Sequence, residues 1–200
     1  MKIRLIFFCA LLAVRAAATD TPKKPDVCCA PLAAAAFTRD SLYQIETAFT
    51  DDAGRPVQLG QLRGRPVVIT MFFASCGYAC PLLVADMQAI REQLPAAVRE
   101  QVGFVLVSFD SERDTPAALR HYREERGLGD GWILLHGDVD AVRELAALLG
   151  VKYKEDANGQ FAHSNVITVL NARGEIVHQQ VGLGQDIKDT VRELEKLLTN

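Results

Sequence analysis

Cys76 and Cys80 stand in the run Ser75-Cys76-Gly77-Tyr78-Ala79-Cys80-Pro81, two thiols with three residues between them. Two chemistries are open to such a pair. Side chains four apart on a helical turn point the same way, so the sulfurs can converge on one metal ion. A Cα separation of roughly 6 Å also falls inside the disulfide range, so the pair can instead cycle between dithiol and disulfide. Paired-cysteine reductants use a loop one residue tighter; the wider loop suits opening around an ion without forbidding the bond. An inert buried pair is the plainer alternative, but the position argues against it. The run follows an apolar stretch, Pro66 to Phe73, and precedes Leu83, Met87, Ile90 and Leu94 at helical spacing. Such a strand-to-helix junction is where sheets of this kind place ligands, and the positive end of the helix favours thiolate over thiol.

A third donor has to come from elsewhere in the chain. Of His121, His136, His163 and His178, His163 stands out by lying in Phe161-Ala162-His163-Ser164-Asn165, just before the apolar run Val166 to Leu170. Taken alone, a histidine there is as readily a surface residue as a ligand. His121 belongs to a charged helical stretch, and His136 and His178 sit in or beside strand ends, where an ordinary structural role suffices. Two thiolates and one imidazole form a soft, three-coordinate set that suits Cu(I). Zinc normally asks for a fourth ligand in a structural site, which Cys28 or Cys29 could supply.

The elements that must position these residues can be read from periodicity. Alternation through Tyr43, Ile45, Thr47 and Phe49, then a turn at Asp51 to Gly54 leading to Val57 and Leu59, predicts a hairpin. Strands follow at Pro66 to Phe73 and Val102 to Phe109, with a short one at Trp132 to Leu135. Asp114-Thr115-Pro116 opens a helix that Gly127 stops, and Asp138 caps another that Gly150 ends. A second hairpin spans Asn165 to Leu170 and Glu175 to Val181, and Asp186 to Leu198 closes the chain as a helix. This alternation makes an α/β domain, a central mixed sheet flanked by helices, in the arrangement of a thioredoxin-like fold with an added N-terminal β-hairpin and an inserted helix. In that fold the His163 loop faces the cysteine loop across the sheet.

Two hundred residues, 49% of them hydrophobic, suffice for one domain with a real core. Residues 1–18 read as an export signal: Lys2 and Arg4, an apolar stretch from Leu5 to Val14, then Ala16-Ala17-Ala18. The apolar stretch is short of the roughly 20 residues that span a bilayer, although left uncleaved the segment would be an anchor. Residues 19–40 form a linker with Pro22, Pro25 and Pro31 and the vicinal pair Cys28-Cys29, and residues 41–200 form the domain. Without Lys2, Arg4 and Arg15 the net charge moves from −3 to about −6. An acidic chain with no basic cluster is a poor nucleic-acid ligand. Export places the thiols in an oxidising compartment. A domain of this size does not need disulfides for stability, so cysteines kept for chemistry are the better reading.

From about Ser41 to Leu198 the chain resembles the Sco/SenC family, copper chaperones that help build the binuclear copper centre of cytochrome c oxidase. The resemblance is carried by Cys76-x-x-x-Cys80-Pro81, by the run Ser108-Phe109-Asp110-Ser111-Glu112-Arg113-Asp114-Thr115-Pro116, and by His163 opening the late strand. It implies that Cys76, Cys80 and His163 ligate copper, as Cu(I) and Cu(II), and that Asp110 lies beside these ligands; a loop-capping carboxylate is the alternative for Asp110. It also implies a copper-receiving partner, cytochrome c oxidase subunit II, possible contact with a thiol reductant, and residence in the periplasm or on the outer face of the inner membrane. Membrane association would then come only through an uncleaved N-terminal segment. Ser111 departs from the proline usual at its position, and Gly77-Tyr78-Ala79 lacks an acidic residue seen in many relatives. Cys28-Cys29 lies outside the family core, as a copper relay, a docking pair or an inert linker feature. The competing reading is a thiol-disulfide oxidoreductase, with Cys76 and Cys80 as its redox pair, acting on a copper-site apoprotein. A copper or redox sensor would use the same ligands. A peroxidase is disfavoured because Ala74-Ser75 replaces the Thr-x-x-Cys arrangement.

Overall fold

Residues 37–199 are described by a computed structural model. The described residues belong to one compact unit. The expected export signal and the Cys28-Cys29 pair lie outside the described residues. In chain order the elements are β1 (Phe49–Asp51), β2 (Pro56–Val57), β3 (Val67–Phe72), α1 (Ala79–Gln93), α2 (Ala96–Arg99), β4 (Gly103–Ser108), α3 (Pro116–Glu125), β5 (Trp132–His136), α4 (Val139–Leu149), β6 (Tyr153–Glu155), β7 (Phe161–His163), β8 (Val166–Leu170), β9 (Ile176–Val181) and α5 (Lys188–Thr199).

Seven strands form one mixed sheet in the order β2-β1-β5-β4-β3-β8-β9. Its centre is parallel: β3 pairs with β4 and β4 with β5, while β1 and β8 flank them antiparallel. Every residue of β3, β4 and β8 is buried, which is why these segments read as continuous apolar runs rather than alternating ones. Each Val, Leu, Ile, Phe or Met side chain among them contributes about 1.5–3 kcal/mol on removal from water. Register decides what meets at the sheet's end. Val67 pairs with Gly103 and Phe72 with Ser108, so β3 and β4 finish level. Strand β8 runs the other way, with Thr70 opposite Ile167. The residues before Val166 therefore arrive at the same end at which β3 delivers the cysteines.

Local chemistry sets the helix boundaries as expected. The Thr115 hydroxyl accepts from the Ala118 amide at 3.3 Å ahead of Pro116, and the Asp138 carboxylate accepts from the Ala141 amide at 2.8 Å. Gly150 ends α4 in the left-handed conformation at φ +69°.

Three local expectations are corrected. Leu42–Gln44 is a 3-10 turn rather than part of a strand. The Ser41 hydroxyl accepts from the Tyr43 amide, and Leu42 and Tyr43 are both buried, so alternation there does not mark two faces. Helix α2, a single turn after Pro95, was not foreseen. The segment before β8, read as a loop, holds the hairpin β6–β7, whose three-residue strands are too short to show a period. At the opposite pole of the sheet, Phe37 packs on Tyr43 and beneath Arg63, and Thr38 bonds to Glu175.

Candidate metal centre

Strand β3 ends at Phe72, and the chain turns through residues 73–78 into α1. Helix α1 begins only at Ala79, so the cysteines straddle its start instead of sharing a turn as the spacing predicts. Their convergence has another cause. No side chain of the preceding Tyr78 caps the helix; Cys76 Sγ accepts from the Cys80 amide at 3.4 Å. A sulfur thus occupies the place of a capping oxygen among the unpaired amides of the first turn.

This position separates the two thiols. Burial pushes the Cys76 thiol up, but hydrogen bonds from the Cys80 and Tyr78 amides, the Cys80 thiol and the Ala79 amide outweigh it and hold Cys76 below the ordinary thiol value. Cys80 is fully buried. Burial pushes its thiol well up, the Phe73 backbone hydrogen bond pulls back, and the charges of Cys76 and Asp114 push further. The helix end therefore favours thiolate at one cysteine and not at its neighbour.

His163 closes β7, and its Nε2 lies 3.7 Å from Cys80 Sγ. Its Nδ1 is 3.1 Å from the Ser164 carbonyl oxygen. That oxygen can only accept, so Nδ1 carries the proton and Nε2 presents a lone pair toward the sulfurs. An aromatic wall fixes the ring: Phe109 and Phe73 lie 5.0 and 6.1 Å away between centroids. Among the described residues, Cys76, Cys80 and His163 are the one group of three such donors, with ligand atoms all within 4.8 Å of one another. Two sulfurs and a nitrogen, one sulfur already inclined to ionise, are a donor set that fits a soft ion of low coordination number. The fourth donor a structural zinc would require, Cys28 or Cys29, lies outside the described residues.

The other histidines are elsewhere. His121 pairs with Glu125 on the exposed face of α3, His178 Nε2 meets the Thr190 hydroxyl at 3.0 Å, and His136 belongs to β5.

Asp110 is 2% exposed. Its carboxylate accepts from the Arg113 amide and from Arg113 Nε. Its reach toward the metal centre runs through Arg113, which continues to Glu155 at 2.9 Å on β6, in the hairpin that carries His163. Sequence reasoning missed the carboxylate that holds the cysteine loop. Asp114, read only as a helix start, accepts at Oδ2 from the Ala74 amide at 2.8 Å and from the Ser108 hydroxyl at 2.6 Å. Ser108 and Asp114 sit six apart in the motif already singled out, and a buried acid next to a hydroxyl at a strand end is the signal that could have found it. Phe73, Phe109 and Phe161 pack into one cluster, which the sequence reading, with the first two as strand ends and Phe161 in a loop, did not foresee.

Comparison with known proteins places this architecture. A protein of Stutzerimonas stutzeri named "Putative copper-binding protein" is 28% identical over 130 residues, 63% of this chain and 63% of its own length. The match thus spans less than two thirds of that relative. Among solved structures, a SCO1/SenC family lipoprotein from Bacillus anthracis superposes with a TM-score of 0.69 at 22% identity, covering 76% of this chain and 92% of that one. Bradyrhizobium japonicum ScoI with copper bound gives 0.62 at 21% identity, over 76% and 96%. These likenesses establish the thioredoxin-like fold with its central mixed sheet. The SCO1/SenC family model matches residues 25–199, nearly the whole chain, and the protein belongs to that family.

Proposed function

We propose that this protein is a copper carrier: Cys76, Cys80 and His163 take one copper ion as cargo and pass it to the binuclear copper site of cytochrome c oxidase, outside the cytoplasm. The observation that carries the reading is the cluster of two sulfurs and one imidazole, the one such group among the described residues, with Nε2 3.7 Å from Cys80 Sγ and Nδ1 against the Ser164 carbonyl. Relatives named for copper support the choice of metal, and a relative named as a lipoprotein supports an exported, tethered location. No helix among the described residues is long and apolar enough to cross a membrane. The choice of subunit II as acceptor is supported by the family resemblance and by a relative whose structure is described as that of a member of the Sco family of cytochrome c oxidase assembly proteins. The test is titration of the reduced protein with Cu(I) against a competing chelator, repeated with His163→Ala. One tight equivalent is expected, weakened roughly 10- to 100-fold in the variant; binding indifferent to His163 overturns the three-ligand site.

The asymmetry of the thiols supports a second reading, a thiol-disulfide oxidoreductase. Cys76, partly exposed and inclined to ionise, would attack a substrate disulfide and form a mixed disulfide while releasing one substrate thiol. Cys80 would then displace the second substrate thiol, giving up its proton, and leave Cys76–Cys80 oxidised. A dithiol reductant would have to reset the pair. His163 Nε2, 3.7 Å from Cys80 Sγ, stands where it can take that proton, so the two readings separate on tight one-to-one Cu(I) binding itself, which the reductase cycle does not require.

A further inference from the structure

His163 is carried by an element that is not part of the main sheet. Strands β6 and β7 pair only with each other, as a separate two-stranded sheet. Two kinds of contact press this hairpin on the domain. One is aromatic: Tyr153 stacks on Phe109 at 5.3 Å and 13°, and Phe161 packs on Phe73 and Phe109 at 5.2 and 5.1 Å. The other is a single side chain, Arg113, from the loop between β4 and α3.

Arg113 touches every part of the hairpin. Its Nη2 donates to Glu155 on β6 at 2.9 Å. Its guanidinium carbon lies 5.5 Å over the ring of Phe161 on β7. Its Nη1 fills the space that a Cβ at Gly159, in the turn, would take. Gly159 is also at φ +74°, the left-handed backbone that favours glycine, and the end of the arginine packs against its bare Cα. The other end of Arg113 is fixed to the domain body, because Asp110 receives both its backbone amide and its Nε. The Asp110 carboxylate is buried and the Glu155 carboxylate is half exposed. The domain-side joint is therefore the sheltered one, and the hairpin-side joint is open to water, salt and competing acids.

We infer that Arg113 is a latch on the β6–β7 hairpin: anchored to Asp110 and closing on Glu155, Gly159 and Phe161, it is the positioning residue that holds His163 against the cysteines. With the latch closed, Nε2 stands 3.7 Å from Cys80 Sγ. With it open, the imidazole withdraws with its hairpin, and the two thiolates alone are left facing a recipient. The hairpin itself rests on metal-free geometry; its bearing on cargo rests on the copper reading.

The first measurement uses the metal-free, reduced mature protein and follows amide hydrogen exchange in wild type, Arg113→Gln and Glu155→Gln. Both variants should speed exchange in residues 153–163 about tenfold and leave β3 and β4 unchanged. Unchanged hairpin protection, or loosening of the whole domain by Glu155→Gln, overturns the latch. High salt should speed hairpin exchange in wild type and add nothing in Glu155→Gln. The second measurement is a cycle of Cu(I) affinities. Arg113→Gln should weaken binding about tenfold, equivalent to ~1.4 kcal/mol, with His163 present and not at all in the His163→Ala background. Equal losses in both backgrounds mean that Arg113 does not act through His163 and overturn the proposal. A wild-type protein that takes up no Cu(I) refutes the copper reading instead, and the exchange data still decide the latch.

Discussion

Substituting Asp114 removes one oxygen on which two elements depend. Oδ2 receives both the Ala74 amide, at the start of the cysteine loop, and the Ser108 hydroxyl, at the end of β4. Alanine would strand two donors in a site where the residue is 2% exposed. An unsatisfied buried donor costs about 1–3 kcal/mol, and burying the carboxylate has a cost of its own that alanine relieves, so Asp114→Ala should lose ~2–4 kcal/mol. For a chain of this size that is a fall in Tm of roughly 5–12 °C. Asparagine behaves differently. Both bonds go to the same oxygen, so its amide carbonyl can keep them, and Asp114→Asn should stay within ~1 kcal/mol of wild type. The pH dependence separates them further. Burial pushes the Asp114 carboxyl up, and the hydrogen bonds from Ser108 and Ala74 only partly offset it. The folded chain thus holds this proton more tightly than the unfolded one. As pH rises from about 4, the unfolded chain deprotonates first, and the contribution of Asp114 to stability falls until the folded pKa is passed, then stays constant. Asparagine has no such dependence, so the variant should gain on wild type across that window. Urea unfolding between pH 4 and 8 reads both effects. Equal losses for alanine and asparagine, or a difference from wild type that ignores pH, would refute the role assigned to this oxygen.

The two thiols should also be chemically distinguishable. At pH 7 a small alkylating reagent should modify Cys76 well over tenfold faster than Cys80, because only Cys76 is both accessible and inclined to ionise; peptide mass spectrometry gives the two rates, and parity would contradict the capping geometry. Copper and the disulfide should exclude each other, since the ion needs thiolates. Protein with a Cys76–Cys80 bond confirmed by mass spectrometry should take up no Cu(I) until reduced, and normal uptake by it would sink the shared site. Gly174→Ala should lose about 2–4 kcal/mol in chemical unfolding, because the position is at φ +81° and the ring of Tyr43 occupies the space of a Cβ; a near-neutral result would mean that this turn is not closed over Tyr43.

What sequence reasoning recovered followed from patterns carried by consecutive residues. The two-sided runs of β3 and β4, the Thr115-Pro116 and Asp138 helix starts, and the Gly150 stop each need only local information, and each appears as expected. Cys76, Cys80 and His163 were nominated from residue type and position in the alternation, and the register of β8 against β3 explains why they meet. The details that escaped depend on contacts between distant segments. The β6–β7 hairpin has no period to read, because Arg113 and the Phe73-Phe109-Phe161 cluster hold it, not its own strands. The inequality of the thiols was also hidden: the motif says that both lie at a helix start, but only the structure shows that one caps the helix and the other is buried in its first turn. Asp110 was expected beside the ligands and Asp114 at a helix start, yet the first serves the hairpin through Arg113 and the second the cysteine loop.

The pinning of Leu42 to Gly174 by a 2.9 Å backbone hydrogen bond, with Ser41 bridged to Glu175, has a kinetic consequence. A chain that emerges N-terminus first cannot seat its opening elements until the last hairpin has been made. The β3-α1-β4 unit bearing the cysteines is local and can form early. Its imidazole comes 83 residues after Cys80, which at synthesis rates of about 5–20 residues per second is a delay of roughly 4–17 s. Through that interval the thiols stand without the β6–β7 hairpin and the histidine that later enclose them. Wherever the surroundings are oxidising, that interval leaves the sulfurs open to pairing with each other before the imidazole arrives.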